Sequence, residues 1–154
     1  LTPSGGGSTN LAFGMQSTCP DLARFGLLFA QGGRWEGRQV VSSAWVAAAT
    51  GAPSQRLNAA YGYLWWLNRE GNLRAPLDEI DGLGAPVDPK RGRLVPSAPP
   101  DVYAALGYGG QVVLVHPASQ TVVVRLGDPG DVRGSADYGI TDAARVLTEA
   151  LTDG

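Results

Sequence analysis

Residues Tyr103 to Gly127, YAALGYGGQVVLVHPASQTVVVRLG, hold two apolar runs, Gln111 to Val115 and Thr121 to Leu126, joined by His-Pro-Ala-Ser-Gln. Pro and Ser suit a turn, so the two runs read as a β-hairpin. Neither run alternates apolar with polar residues as a half-exposed strand would, which predicts that both faces of the sheet are covered and that these strands lie centrally. Just before them, Gly107, Gly109 and Gly110 remove side chains from a few residues of backbone. That permits unusual torsions and lets a ligand come close to backbone N–H groups, so a site is expected there.

Beyond the hairpin, Asp128 to Asp137 is a polar, turn-rich link. The tail ITDAARVLTEALTDG then places Ile140, Ala144, Leu147 and Leu151 on one helical face, with Ala143 and Ala150 beside it, and this helix is expected to cover one face of the sheet. Upstream, STCPDLARFGLLFAQGG reads as a helix capped by Ser17 or Thr18, with Pro20 and Asp21 in the first turn, a stripe of Leu22, Phe25 and Phe29, and Gly32-Gly33 as the stop. After a turn-like link, Arg34 to Arg38, a second short helix is predicted from Ser42 or Ser43 to Thr50, ended by Gly51 and Pro53. Ala60 to Asn68, AYGYLWWLN, is aromatic-rich and reads as a strand, with Arg69 to Asn72 as a turn. Residues 73–100 are rich in proline and lack any sustained period, an irregular excursion that reads equally as a lid or as a disordered insertion. The glycines at 5–7 read as a flexible lead-in. This order of elements predicts one α+β domain over residues 1–154, an antiparallel sheet with flanking helices.

Composition narrows the partners. The chain has 154 residues, 44% of them hydrophobic, which suffices for one core, and its net charge is -2. With no cluster of Lys and Arg there is nothing to grip phosphates, and a nucleic-acid partner is not expected. No apolar run is long enough for a transmembrane segment, and the N-terminus lacks the order of a signal peptide. Cys19 is alone, so no disulfide forms within the chain and the compartment, cytoplasmic or exported, stays open. The chain begins Leu1-Thr2-Pro3-Ser4 without Met, as a fragment or processed product would.

Candidate chemistry is sparse. One His and one Cys cannot make a usual zinc site, and Asp128-Pro129-Gly130-Asp131 lacks the spacing of a calcium loop, so no metal and no cofactor is implied. His116 ends an apolar strand ahead of Pro117, the position of a turn histidine more than of a base. No Ser-x-x-Lys nucleophile exists in the chain, since Val87 stands three residues before the lone Lys90. Trp65 and Trp66, adjacent on a strand, must face opposite ways; each is either core packing or pocket lining. For Ala105-Leu106-Gly107-Tyr108 two readings stand: an oxyanion site in which the Tyr108 backbone N–H donates to a substrate carbonyl, or a tight turn into the hairpin.

Several segments together resemble the C-terminal part of the serine β-lactamase-like family: class C β-lactamases, DD-peptidase-like and penicillin-recognising esterases, and amide hydrolases of the 6-aminohexanoate-oligomer type. They are Gln16-Ser17-Thr18 with Asp21 to Gly26, Gly32-Gly33 with Trp35 and Gly37, Ser42 to Thr50, Tyr61 to Trp66, and Ala105 to Gln111 running into Val122 to Gly127, in the family's order. The resemblance implies that Ala105-Leu106-Gly107 occupies the place of the family's Lys-Thr-Gly or His-Thr-Gly triplet, with Tyr108 N–H as an oxyanion donor and with Gly107, Gln111, Trp65 and Trp66 around the substrate. The cationic first residue is replaced by Ala105, as in the oligomer hydrolases, which favours a small-molecule ester or amide over a β-lactam carboxylate. The family's Ser-x-x-Lys and Tyr-x-Asn motifs lie upstream of everything matched. The resemblance therefore implies the C-terminal part of a serine hydrolase working through an acyl-serine, with the nucleophile on an N-terminal segment that is a separate or missing chain. Strands apolar on both faces, served by one long helix after them and two short ones before, are expected to need that segment as a cover. The alternatives are a non-catalytic binding or interaction module that kept the fold, and an unrelated α+β domain.

Overall fold

The computed structural model describes residues 15–73, 90–107, 110–127 and 139–152. The elements run α1 (Cys19–Ala30), β1 (Arg34–Trp35), β2 (Arg38–Gln39), α2 (Ser43–Thr50), β3 (Trp66–Leu67), β4 (Gly71–Leu73), β5 (Lys90–Gly92), β6 (Tyr103–Gly107), β7 (Gln111–His116), β8 (Thr121–Arg125) and α3 (Ile140–Thr152). The molecule is α+β, with an antiparallel sheet flanked by helices.

The predicted hairpin is β7–β8, in register from His116↔Thr121 to Val112↔Arg125. It is extended by a strand that the sequence reading passed over. Tyr103 to Gly107 pairs residue for residue with β7, Tyr103↔Val115 through Gly107↔Gln111, so the Gly-rich segment joins two strands of a meander. The run Tyr-Ala-Ala-Leu-Gly lacks β-branched residues, which hid it. The four-stranded sheet has the order β3-β6-β7-β8, so β7 lies inside the sheet while β8, expected to be central with it, is the edge strand among the described residues and only half-buried.

Residues 60–68 also differ from expectation. Only Trp66 and Leu67 form a strand; Tyr61 bridges back to Trp66, Gly62 N–H donates to the Trp65 carbonyl at 2.9 Å, and Leu64 sits at φ +65°. The segment folds on itself because its rings are consumed by packing instead of by a ladder. Trp65 meets Phe29 at 4.7 Å and Tyr103 at 5.0 Å between centroids. The Arg34–Arg38 link is a small hairpin with Glu36 and Gly37 both left-handed, the pairing of a type I′ turn.

Both helix caps fall where the sequence put them. Thr18 accepts from Asp21 N–H at 3.3 Å, and Ser42 accepts from Trp45 N–H at 3.2 Å. The Thr18 hydroxyl, and then the Arg24 guanidinium, hold the exposed Asp21 carboxyl below its usual range. α1 stops at Gly32 and Gly33, both left-handed; a Cβ on Gly33 would stand 2.0 Å from the Val41 carbonyl oxygen, so no other residue fits.

Alternation then sorts the core into two layers. Ala104, Val112 and Leu114 face α3, where Ala143, Ala144 and Leu147 are fully buried. Tyr103, Val113 and Val115 face the other way, against Phe29 of α1, Val46 and Ala49 of α2, and Trp65. Among the described residues, α1 and α2 pack on this second face, the one for which the sequence reading expected a further segment. Gly26 lets α1 lie against β8: a Cβ there would reach within 2.7 Å of Val122 Cγ1. Leu151 is 37% exposed, so the apolar face of α3 ends a turn earlier than its periodicity suggests.

Part of the excursion is ordered on the core. Gly71–Leu73, expected as turn and loop, pairs with Lys90–Gly92. Buried Asn68 donates from Nδ2 to the carbonyls of Val95 (2.9 Å), Ala98 (3.3 Å) and Pro99 (3.0 Å) and accepts from Val95 N–H at 2.8 Å. Val95 and Ala98 are buried in the α3-side layer. The lid reading otherwise falls on residues 74–89, outside the described residues. No described helix is long and apolar enough to cross a membrane.

Candidate functional site

At the β6–β7 turn the backbone comes to the surface. Gly107 is exposed and faces Gln111 across the ladder; a Cβ on it would stand 3.1 Å from Gln111 Cβ, so the residue must be small for the strands to close. Gly110, at φ +72°, turns the chain into β7. Tyr108, whose N–H is the expected oxyanion donor, lies with Gly109 outside the described residues. Gln111 Nε2 donates to the Gly127 carbonyl at 2.6 Å, and Gln111 Oε1 accepts from Gly127 N–H at 3.0 Å. That side chain behaves as an extra rung holding the end of β8 beside β7, with its amide engaged by backbone.

Ala105 lies on the α1 side, opposite Val113 and packed against the layer that holds Trp65. Trp65 is 4% exposed and belongs to that core. Trp66 faces the opposite way, as adjacency requires: half-buried against the α3-side layer, with its ring edge-on to Tyr61 at 4.7 Å. The fold therefore gathers Ala105, Gly107 and Gln111 at one end of the sheet and puts the two tryptophans on opposite faces. Arg125, opposite Val112, is a cation at this end that motif reading did not single out. Chemically, the described part of the turn can offer backbone donors and a narrow approach; it holds no acid, base or nucleophile pair.

A second polar group sits at the other end of β6. His116 Nε2 is 3.4 Å from Asp101 Oδ1, and its Nδ1 is 2.7 Å from Ser119 Oγ. Carboxylate, imidazole and hydroxyl stand in the spatial order of a hydrolytic triad. The Ser119 hydroxyl also lies 2.8 Å from Thr121 Oγ1, so it is shared between the imidazole and a second hydroxyl of the same turn. The network locks the hairpin turn, in keeping with the turn-histidine reading. The Ser at i+3 was visible in the sequence; Asp101 comes near only through the β6–β7 register. Beside this group, the Tyr103 hydroxyl is buried with no hydrogen-bond partner among the described residues. Its burial, and then the Asp101 charge, push its ionisation well above the usual tyrosine range. Among the described residues no cluster of three or more His, Cys, Asp or Glu could hold a metal ion.

No family model matches the chain, and no curated protein matches it. In structure it is similar to a Bacillus anthracis protein provisionally named a 6-aminohexanoate-dimer hydrolase, at 19% identity and a TM-score of 0.50, over 89% of this chain and 28% of that one. The two share a β-lactamase-like fold, and this chain spans little more than a quarter of the other's length.

Proposed function

We propose that this chain is the C-terminal part of a β-lactamase-like serine hydrolase that cleaves a small ester or amide through an acyl-serine. Its contribution is the β6–β7 turn, where Tyr108 N–H polarises the substrate carbonyl and Gly107 keeps the approach open. The nucleophilic Ser and its Lys come from polypeptide upstream of the matched segments. A single observation carries this reading: the fold is shared with part of a much longer protein provisionally named a 6-aminohexanoate-dimer hydrolase, of which 28% is covered. The order of motifs from Gln16 to Gly127 supports the same placement.

In the proposed reaction the Ser Oγ attacks the carbonyl carbon, the developing oxyanion accepts from Tyr108 N–H, and the alcohol or amine leaves with a proton from the general base. Water then releases the acid. By the resemblance, Ala105 takes the place of the family's cationic first residue, which favours neutral acyl groups over β-lactam carboxylates.

The test is labelling with a fluorophosphonate, applied to this chain alone and to it together with the upstream polypeptide encoded in the same gene. The expected result is no label on the isolated chain and a labelled upstream Ser-x-x-Lys serine in the combined sample. Label on a serine within residues 1–154 would overturn the assignment. So would an upstream sequence without a nucleophile motif, which would favour the non-catalytic binding module.

A further inference from the structure

Between α1, α2 and the start of β6 lies a cavity of about 270 Å³, at the end of β6 away from the Gly-rich turn. With ~3.3 Å per residue along a strand, Tyr103 and Gly107 are roughly 13 Å apart, so the cavity and the turn do not share a surface. We propose that this cavity binds a small organic monocarboxylate, with Arg69 taking the carboxylate and Phe29, Val46 and Tyr103 enclosing a compact apolar body.

Three independent features lead to that ligand. Most of the wall is apolar, contributed by side chains such as Phe29 and Val46, both of which are otherwise core residues. Apolar concavities of this kind, with a few convergent polar groups, are the usual form of a small-molecule site. At roughly 30 Å³ per water-sized group, the volume suits a body of about nine such groups.

Arg69 lines the same cavity, half-buried, and makes no hydrogen bond or ion pair with any described residue. A guanidinium presents a planar fork of donors that matches a carboxylate with two parallel bonds. Asp101, also on the wall, adds the selectivity. It lies 3.4 Å from His116 Nε2 and sets a negative charge on the cavity wall. A second anionic group on the ligand would meet it, so monocarboxylates are favoured over dicarboxylates and phosphates.

The third feature is the Tyr103 hydroxyl, buried and without a hydrogen-bond partner among the described residues, on a residue that lines the cavity. A buried hydroxyl without a partner destabilises the free protein, and a ligand acceptor that reaches it relieves that cost. Tyr103→Phe consequently separates two effects that a purely structural tyrosine would not. Stability of the free protein should be unchanged or higher, while the ligand binds less tightly.

The experiment is titration of the chain with benzoate, followed by amide chemical shifts, with benzamide as the neutral isostere and phthalate as the dianion. Saturable benzoate binding with Kd on the order of 1 mM is expected, with shifts centred on Val46, Gly51 and Tyr103. Arg69→Gln should weaken it about tenfold or more without lowering Tm, and Tyr103→Phe about threefold. Benzamide and phthalate should each bind about tenfold more weakly than benzoate. Absence of saturation by ~20 mM, equal binding of benzamide, or indifference to Arg69→Gln would each overturn the proposal, leaving a cavity filled by water.

Discussion

Asn68 does more for this fold than its place at the end of an aromatic run suggests. Its amide makes one acceptor and three donor contacts with residues 95–99, all through backbone, and it is 3% exposed. Asn68→Ala strands these buried backbone groups and should cost about 3 kcal/mol in urea unfolding. Asn68→Asp should do no better, because a carboxylate keeps the Val95 N–H contact but cannot donate to three carbonyls. A loss under ~0.5 kcal/mol for either variant would show that the loop is held by Val95 and Ala98 packing alone. None of this was readable in sequence. An Asn beside a proline-rich stretch predicts a turn, and its partners lie about thirty positions away.

At the level of elements, the contact between α1 and the sheet depends on one missing side chain. Gly26 lies within a helix whose propensity would gain from Ala by up to ~1 kcal/mol. Yet a Cβ there meets Val122 Cγ1 at 2.7 Å and Val113 Cγ1 at 3.3 Å. Both valines are branched at Cβ and stiff, so the helix must move. Gly26→Ala should therefore be destabilising by about 1 kcal/mol and Gly26→Leu by about 3, measured as shifts in the urea midpoint. A stabilised Gly26→Ala would mean that α1 sits further from β8 than described. The helix boundaries themselves were legible, because caps and stops are local: Thr18, Ser42 and Gly33 act within a few residues of where they stand. Strand β6 was not, since its pairing with β7 is decided by register and by the layers on each side.

For the molecule as a whole, β7 is shared by the two core layers. Leu114 belongs to the α3-side layer and Val115 to the α1 side. Leu114→Ala should cost roughly 3 kcal/mol and lower amide protection in α1 and α3 together, although α1 never touches that layer. Loss confined to α3 would show two independent units. The sequence alone determined the α+β class, the β7–β8 hairpin, three helices with the N-caps of the first two, and the absence of a nucleophile motif in this chain. Each of these follows from local periodicity or from residue type. Tertiary structure alone decided that α1 and α2 pack on the same face of the sheet. It also placed Trp65 in the core, turned the Gln111 amide to Gly127, and set Arg69, Asp101 and Tyr103 around one cavity. Those outcomes rest on contacts between residues distant in the chain, where side-chain volume and register, which no local pattern encodes, choose the neighbours.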